Sequence, residues 1–378
     1  MNSLLPPLSL YIHIPWCARK CPYCDFNSHE QPEELPERDY AAALLEDLRQ
    51  SLHQVQGRKL HSVFLGGGTP SLFAASTITT ILRGVSELVQ LKPGAEVTLE
   101  ANPGTAEAEK FQGFVEAGVN RISLGVQSFD DGLLQALGRI HNSDEALNAI
   151  EIVQKSGLDS YNIDLMHGLP GQTLDQACAD LQQAAGHHPP HISWYQLTIE
   201  PNTAFHRRRP LLPGESVLNS IQQQGETLLR REGYSAYEVS AWSQPGYRCH
   251  HNLNYWQFGD YIGIGAGAHG KWTEHGSGLI RRTARLRQPV RYLDRPGAGK
   301  EQLLGAADLV GEYMMNALRL HDGFALNEFC ARTGLPESLL ASRLHSLQER
   351  GLLVRDAGRF QASALGRRFL DSVTAEFF

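Results

Sequence analysis

The chain lacks the features of a membrane-spanning or exported protein. No apolar stretch approaches the roughly 18 residues that a transmembrane helix needs. The first ten residues contain two prolines but no lysine or arginine, unlike a secretory signal peptide. Six cysteines among 378 residues are too few for a disulfide scaffold. We therefore expect a cytoplasmic protein, in a reducing compartment, that is not an integral membrane protein.

The chain also lacks an excess of positive charge. Its formal net charge is −7, which gives no general attraction to nucleic acids or anionic membranes. Residues 324–370 hold seven arginines against four acidic residues, a smaller excess than a nucleic-acid-binding face normally shows. We therefore expect no nucleic-acid partner.

Strand-like apolar runs alternate with helical stretches in the first half. The runs cover residues 8–14, 62–65, 96–100, 121–126, 160–165 and 191–198. The helical patterns cover residues 39–53, 76–90, 106–117, 144–156 and 174–185. This alternation predicts a parallel sheet wrapped by helices. Six units favour an incomplete (βα)6 TIM-like barrel over the closed eight-stranded form.

The second half shows a different pattern. Residues 200–300 are rich in Gly, Pro, Arg and aromatic residues and have weak periodicity. Residues 325–333, 336–351 and 352–362 indicate a helix–turn–helix followed by a wing. We predict an α/β fold with a partial barrel over 1–220 and a linking region over 221–300. A C-terminal α+β extension follows over 301–378, with a small winged-helix-like helical domain.

Three of the cysteines share one short segment directly after the first apolar run. Cys17, Cys21 and Cys24 form a CxxxCxxC pattern. Three thiolates on one loop can hold three corners of a [4Fe–4S] cluster and leave the fourth iron open, whereas most electron-transfer clusters use four cysteines. Zinc is the alternative, but no second Cys or His pair with zinc spacing follows within the next thirty residues.

Several sequence motifs resemble one branch of the radical S-adenosylmethionine (SAM) superfamily. They are CxxxCxxC, Y-I-H-I-P-W-C, G-G-G-T-P-S, E-A-N-P-G and G-V-Q-S-F, and the similarity runs over about residues 8–375. This branch contains oxygen-independent coproporphyrinogen III oxidase and the HemW-type heme chaperones. The resemblance implies a radical SAM barrel in which SAM chelates the open iron and is exchangeable. Reductive cleavage of SAM in the superfamily gives a 5′-deoxyadenosyl radical.

The resemblance also implies a set of SAM contacts at successive strand ends, where barrel active sites lie. It assigns the methionyl end to Gly67–Thr69 and Glu100, the ribose region to Gln127 and Asp164, and the SAM carboxylate to Arg139. Residues 263–267 would close over the adenine. The full set implied for SAM is Tyr11, Tyr23, Gly67, Gly68, Thr69, Glu100, Gln127, Arg139 and Asp164.

A second motif, HNxxYW, lies in the second half of the chain. It resembles the haem-binding motif of the chaperone branch and comprises His251, Asn252, Tyr255 and Trp256. Histidine is the common axial ligand of haem iron, and cysteine is another. We expect His251 to be the axial ligand, with His250 and Cys249 as alternatives. The basic run 281–287, with Arg291 and Arg295 beyond it, is a candidate clamp for the propionates.

Three features favour the chaperone branch over the oxidase. The oxidase carries a fourth cysteine where this chain has Phe26, it has a longer segment before its first strand, and HNxxYW is present here. The resemblance then implies haem as cargo, delivery to haem-requiring respiratory proteins, and possible homodimerisation. The alternative is an enzyme that decarboxylates coproporphyrinogen III to protoporphyrinogen IX. A DNA-binding regulator with an iron–sulfur sensor is a third class, and the acidic net charge argues against it.

Overall fold

The computed structural model describes residues 5–158 and 160–378. Residues 1–4, part of the segment that argues against a signal peptide, lie outside the described residues. The strands are β1 (Leu8–Ile14), β2 (Trp16–Cys17), β3 (His29–Glu30), β4 (Leu60–Gly67), β5 (Leu91–Ala101), β6 (Arg121–Gln127), β7 (Ser160–His167), β8 (His191–Gln196), β9 (Ser235–Glu238), β10 (Ala241–Ser243), β11 (Asp260–Ile264), β12 (His269–Thr273), β13 (Ile280–Arg285), β14 (Gly299–Leu303), β15 (Phe324–Ala325), β16 (Leu353–Asp356) and β17 (Arg359–Ala362).

The helices are α1 (Glu37–Gln50), α2 (Ala75–Leu88), α3 (Ala108–Glu116), α4 (Asp131–Leu137), α5 (Ser143–Lys155), α6 (Leu174–Gly186), α7 (Ala204–Arg207), α8 (Glu215–Arg231), α9 (His250–Trp256), α10 (Pro289–Asp294), α11 (Ala306–Ala317), α12 (Leu326–Thr333), α13 (Ser338–Glu349), α14 (Ala364–Arg368) and α15 (Leu370–Ala375). Three short 3₁₀ helices cover Leu52–Gln54, Pro70–Leu72 and Pro103–Thr105. Among the described helices, none is both long enough and apolar enough to cross a membrane.

Among the described residues, twelve strands form one sheet in the order β14-β13-β12-β11-β1-β4-β5-β6-β7-β8-β10-β9. The seven neighbouring strands β11, β1, β4, β5, β6, β7 and β8 are parallel to one another. The strands on either side of them, β12–β14 and β9–β10, pair antiparallel. The order has two ends, so within the described chain the sheet does not close on itself. The six predicted strands correspond to β1 and β4–β8, and the predicted incomplete barrel is confirmed.

The helices cover the outer face of the sheet because their apolar residues recur at helical spacing. In α2, Ile78, Ile81, Leu82 and Val85 are buried, which is the i, i+3, i+4, i+7 stripe of an amphipathic helix. The inner face is polar instead. On β5, Glu96, Thr98 and Glu100 alternate with the apolar residues of the outer face, because successive side chains of a strand point to opposite sides. The barrel interior therefore contains polar groups.

Residues 221–300 contain more regular structure than their weak periodicity suggests. Strands β9–β14 all belong to the large sheet, and β11 is a seventh parallel strand beside β1. Several of these strands carry charged residues that are paired inside the protein: on β13, Arg282 bonds to Glu312 and Arg285 to Asp47, and Lys271 on β12 bonds to Asp260 on β11. Such pairs remove the apolar alternation on which strand prediction depends. The domain boundaries at 220 and 300 stay a prediction.

The C-terminal residues form a second, smaller core. Tyr313, Phe324, Phe329 and Leu340 are buried together there. Helices α12 and α13 are followed by β16 and β17, which pair with β15 in a three-stranded sheet. The predicted helix–turn–helix with a wing is therefore present.

Candidate functional site

The cysteine segment and three other motifs lie at one end of the parallel sheet. The cysteine segment follows β1, G-G-G-T-P ends β4, N-P-G follows β5, and Gln127 ends β6. The register pairs Ile14 with Gly67, so the first two motifs begin side by side. The sequence prediction that these motifs meet at the carboxyl ends of the strands is thus consistent with the geometry.

The three cysteines of the segment are free thiols that are partly exposed. The backbone N–H of Cys24 donates to the carbonyl of Cys21 at 3.1 Å, which folds the segment into a turn. Burial raises the pKa of both Cys17 and Cys24. The Arg139 guanidinium donates to the Cys21 sulfur at 3.6 Å.

This donor set suits a multi-iron cluster. Thiolates are the usual ligands of iron–sulfur clusters, and three of them share one partly exposed turn here. Among the described residues, no three His, Cys, Asp or Glu side chains converge closely enough to hold a single metal ion. The ligands of a [4Fe–4S] cube bind to separate irons, so they do not have to meet at one point. The residues present therefore fit a cluster.

A hydrogen-bonded network connects the cysteine segment to three other motifs. Arg139 donates to the Asn102 side chain at 2.7 Å and to the Gly125 carbonyl at 2.9 Å, and Asn102 donates to the Thr69 hydroxyl at 2.8 Å. A cavity beside the network is lined by Cys21, Thr69, Asn102 and Arg139, among others. Sequence reasoning did not single out Asn102, although its motif E-A-N-P-G was recognised.

Two of the glycines after β4 are required by close packing. Gly67 has a φ of +109°, and a Cβ there would lie 2.3 Å from the His13 ring. A Cβ on Gly68 would lie 2.5 Å from the carbonyl oxygen of Trp16. Only glycine lets the two backbones approach in this way. The glycine run therefore holds the cysteine segment against the end of β4.

Glu100 and Asp164 place two carboxyl groups inside the barrel. Glu100 accepts the Gly67 N–H at 3.0 Å, and Asp164 accepts hydrogen bonds from Ser123 and Asn162, each at 2.8 Å. Burial raises the pKa of Glu100 to about 7, and the Asp164 charge adds to this effect. Burial also raises the pKa of Asp164. A cation between these groups would favour their ionised forms.

The other residues expected around SAM also surround this part of the barrel. The Tyr11 hydroxyl lies 2.9 Å from His13 Nδ1, and Tyr23 packs on Phe205 beside the cysteine segment. Gln127 accepts a hydrogen bond from Tyr195 at 2.8 Å and has a φ of +71°. Such a conformation is rare for a residue with a side chain and clusters at functional sites.

The loop of residues 263–267 also reaches the cysteine segment. Asn27, three residues after Cys24, donates to the Ala266 carbonyl at 2.8 Å. A Cβ on Gly267 would lie 2.3 Å from the Asn27 side chain. These residues comprise the end of β11 and the turn after it, so a strand from the second half of the chain helps to build the same end of the barrel.

The HNxxYW motif lies at the opposite end of the barrel, on α9. Ser62, near the start of β4, lies 2.8 Å from the Ser9 hydroxyl and 3.0 Å from His251 Nδ1. Glu96 accepts the backbone N–H groups of His250 at 3.0 Å and His251 at 2.9 Å. These contacts fix α9 at the amino ends of β4 and β5. The structure does not bring the HNxxYW residues together with the cysteine segment.

Residues of the motif differ in their surroundings. His251 is 1% exposed and stacks on Phe64 with ring centroids 4.8 Å apart, while burial lowers its pKa to about 3. Its Nε2 has no hydrogen-bond partner among the described residues. Tyr255 packs edge-on against His251, and the Arg319 guanidinium lies 4.3 Å from the Trp256 ring centroid. Asn252 is half-buried.

The two alternatives to His251 differ in exposure. Cys249 is fully buried and its thiol donates to Glu96 at 3.4 Å, while burial raises its pKa to about 12. His250 is exposed. Most arginines of the basic run 281–287, the candidate clamp for the haem propionates, form ion pairs within the protein. Arg281 pairs with Glu301, Arg282 with Glu312 and Arg285 with Asp47.

Comparison with known proteins agrees with this arrangement. Residues 11–184 match the model of the radical SAM superfamily, and residues 304–369 match the HemN C-terminal domain. The solved structure of coproporphyrinogen III oxidase (HemN) from Escherichia coli shares the fold, with a TM-score of 0.81 over 99% of this chain and 90% of that one. Its sequence identity is 21%.

Curated relatives are considerably more similar. The heme chaperone HemW of Haemophilus influenzae is 49% identical over 99% of this chain and 98% of its own length. The heme chaperone HemW of Escherichia coli is 49% identical over the same shares. The mouse mitochondrial radical S-adenosyl methionine domain-containing protein 1 is 35% identical over 97% of this chain and 86% of its own. The chain therefore belongs to the heme chaperone HemW family within the radical SAM superfamily.

Proposed function

We propose that this protein binds haem and delivers it to haem-requiring proteins, and that it does so on a radical SAM scaffold. The observation that carries the proposal is the 49% identity, over almost the full length, to two proteins named heme chaperone HemW. The oxidase shares the fold at only 21% identity. Haem-requiring respiratory proteins in the cytoplasmic membrane are the proposed acceptors, and the proposed chaperone acts on them from the cytoplasm as a homodimer.

Cys17, Cys21 and Cys24 are the proposed ligands of a [4Fe–4S] cluster, with SAM as the exchangeable fourth ligand. When bound, such a cluster supplies an electron to SAM. The protein's own task is to hold three thiolates on one turn, which Arg139 supports through its contact with Cys21 at 3.6 Å. The glycines at the end of β4 keep this turn against the sheet.

The proposed SAM site uses the groups that surround the barrel interior. Glu100 supplies negative charge for the cationic methionyl end of SAM, which Gly67, Gly68 and Thr69 line, and Asp164 contacts the ribose region. Arg139 is proposed to bind the SAM carboxylate, and its buried Nε has no hydrogen-bond partner among the described residues. Tyr11, Tyr23 and Gln127 complete the site. The proposed delivery of haem does not require that the protein cleave SAM.

The proposed haem-binding segment is α9 with its HNxxYW residues, His251, Asn252, Tyr255 and Trp256. A flat macrocycle suits aromatic side chains such as Trp256, which is half-buried. The oxidase alternative is less favoured for a local reason. Phe26, at the expected position of the oxidase's fourth cysteine, is 63% exposed and brings no thiol to the open end of the barrel.

One assay separates the two functions. The protein is reconstituted anaerobically with its cluster and incubated with SAM, a low-potential reductant and coproporphyrinogen III. We expect no protoporphyrinogen IX, together with saturable binding of hemin by the same preparation. Repeated turnover of coproporphyrinogen III would overturn the proposal in favour of the oxidase, and a loaded preparation that binds no hemin would also contradict it.

A further inference from the structure

The β11–β12 turn, residues 265–267, leaves the large sheet beside the cysteine segment. Gly265 and Gly267 have φ values of +104° and +84°, and a Cβ on Gly265 would lie 2.4 Å from the His13 carbonyl oxygen. Strand β11 ends at Ile264, so the N–H groups of the turn lie beyond its ladder. Buried N–H groups in such a position need acceptors other than a neighbouring strand.

Three buried side chains supply acceptors for the turn. Asp47 on α1 and Tyr292 on α10 both accept the N–H of Gly265, at 3.2 Å and 3.1 Å. Tyr40, also on α1, accepts the N–H of Ala266 at 2.8 Å. All three acceptor residues are 0% exposed, and none belongs to the set implied for SAM. Because burial of polar groups is costly unless they are hydrogen-bonded, their common direction towards the turn is informative.

The three acceptors are themselves held in place by one another and by an arginine. The Tyr292 hydroxyl donates to Asp47 at 2.9 Å, and the rings of Tyr292 and Tyr40 lie with their centroids 5.5 Å apart. Arg285, on β13, donates to Asp47 at 2.8 Å and to the Ser51 hydroxyl at 2.7 Å. Side chains from α1, α10 and β13 therefore form one connected support beneath the turn.

This support also reaches the cysteine segment. The Tyr40 hydroxyl donates to the His13 carbonyl at 2.8 Å, so one hydroxyl group bonds both the turn and the end of β1. The Tyr40 ring packs edge-on against Trp16, which precedes the first cysteine of the segment, with centroids 4.8 Å apart. On the other side, Asn27 donates to the Ala266 carbonyl at 2.8 Å. The turn is therefore fixed relative to the residues on both sides of the three cysteines.

We propose that Tyr40, Asp47 and Tyr292 are positioning residues for SAM, which hold the β11–β12 turn in place as one wall of the site. This assignment rests on the proposed SAM site. The three residues act through the backbone of the turn and do not themselves touch the ligand. A wall that is already fixed in its bound conformation loses little conformational entropy when the ligand binds, so the support raises the affinity for SAM.

The test removes single hydroxyl groups from the support. Tyr40→Phe, Tyr292→Phe and the double variant are loaded anaerobically with the cluster, and SAM is titrated into the oxidised protein in a calorimeter. Tyr234→Phe is the matched control, because Tyr234 is also buried and its hydroxyl donates to the Pro189 carbonyl at 2.7 Å, as that of Tyr40 does to the His13 carbonyl. Denaturant unfolding, iron content and the absorption spectrum are measured for every variant.

We expect the variants to separate SAM binding from stability. The affinity for SAM should fall by about threefold in each single variant, as expected for one hydrogen bond, and by at least about tenfold in the double variant. Tyr234→Phe should lose stability to a similar extent as Tyr40→Phe but bind SAM as wild type does. Every variant should keep its cluster, because Gly67 and Gly68 hold the cysteine turn independently of this support.

Three outcomes would overturn the inference, and they have separate meanings. A double variant that keeps its cluster and binds SAM as tightly as Tyr234→Phe would show that the support is only structural, while the proposed SAM site would stand. A double variant that loses the cluster would show that the support serves the cysteine segment instead. Cluster-loaded wild-type protein that binds no SAM would overturn the proposed SAM site and this inference with it.

Discussion

The environment of Glu100 couples its protonation to the binding of a cationic ligand. It lies inside the barrel near Asp164, and its pKa is raised to about 7, mainly by burial. A carboxyl group in this setting is neutral below pH 7 and charged above it. Binding of a cationic ligand favours the charged form, so the ligand must displace a proton when the pH is low.

This environment predicts how SAM binding depends on pH. Between pH 6 and pH 8, the affinity of wild-type protein for SAM should rise by about tenfold more than that of Glu100→Gln, because deprotonated Glu100 prefers the cation. Isothermal titration calorimetry of anaerobic protein provides the measurement. Glu116→Gln, on the exposed end of α3, should behave as wild type. An equal pH dependence in Glu100→Gln would contradict the role given to this carboxyl group.

The cluster ligands can be tested separately. Cys21→Ser should abolish the broad brown absorption at about 400 nm that a thiolate-ligated cluster produces, because two thiolates cannot hold the cube in place. Cys178→Ser, which changes a free cysteine on α6, should leave the spectrum and the iron content unchanged. A full cluster in Cys21→Ser would remove Cys21 from the ligand set.

At the scale of elements, the position of α9 depends on one buried carboxylate. Glu96 accepts hydrogen bonds from the Cys249 thiol and from two backbone N–H groups of α9. Although burial opposes its charge, the nearby Arg121 and these N–H donors lower the pKa of Glu96 below its ordinary value. The strand β5 and the helix α9 are therefore joined through a charged acceptor.

Replacement of this acceptor should loosen the helix. Glu96→Gln should lower the free energy of unfolding by about 2–3 kcal/mol, since a neutral amide accepts the same N–H groups less strongly. Hydrogen exchange of the amides of α9 should rise in the same variant. Glu46→Gln is the control, because Glu46 is exposed on α1. Unchanged stability and exchange in Glu96→Gln would mean that α9 is held by other contacts.

The sequence was informative about elements with regular apolar spacing. Strands β1 and β4–β8 and the helices between them were predicted because one face of each is apolar. Strands β12–β14 were not, because residues such as Arg282 and Arg285 are paired with partners distant in the sequence. The location of α9 depends on Glu96 and Ser62, and no local pattern connects these residues with the HNxxYW motif.

At the scale of the whole molecule, Asp260 links distant parts of the chain. Its carboxylate accepts from Arg58 at 2.6 Å, from Lys271 at 2.9 Å and from Thr273. Its backbone N–H donates to the Pro7 carbonyl at 3.0 Å. Burial alone would raise the pKa of Asp260, but Lys271 and Arg58 lower it below its ordinary value.

Asp260→Asn should therefore destabilise the protein by about 3–5 kcal/mol, because it leaves buried Lys271 and partly buried Arg58 without their carboxylate partner. Folding lowers the pKa of Asp260. Its contribution to the free energy of unfolding of the wild-type protein is therefore fully present above the unfolded-state pKa of this carboxyl group. That contribution is lost as the pH falls through the folded-state pKa. Denaturant unfolding at neutral and acidic pH measures both effects. Asp322→Asn, in an exposed pair with Arg248, should change stability by less than about 1 kcal/mol. Equal effects of the two substitutions would contradict this account.

The arrangement of the whole molecule separates two regions. The cysteine segment and most of the residues proposed for SAM lie at the carboxyl ends of the strands, and α9 lies at the amino ends. Tyr11, in the middle of β1, lies between the two regions, with its ring centroid 6.4 Å from that of His251. The first grouping was predictable, because each motif follows a recognisable strand. The separation was not, because it depends on β11 returning beside β1 after 245 intervening residues.

The most direct test of the central claim is transfer of haem to an acceptor. Protein loaded with one equivalent of hemin is mixed with membranes that contain a haem-depleted respiratory enzyme, and the recovery of enzyme activity is followed over time. The account predicts faster recovery than with the same concentration of free hemin. Recovery no faster than with free hemin would contradict the claim that this protein delivers haem.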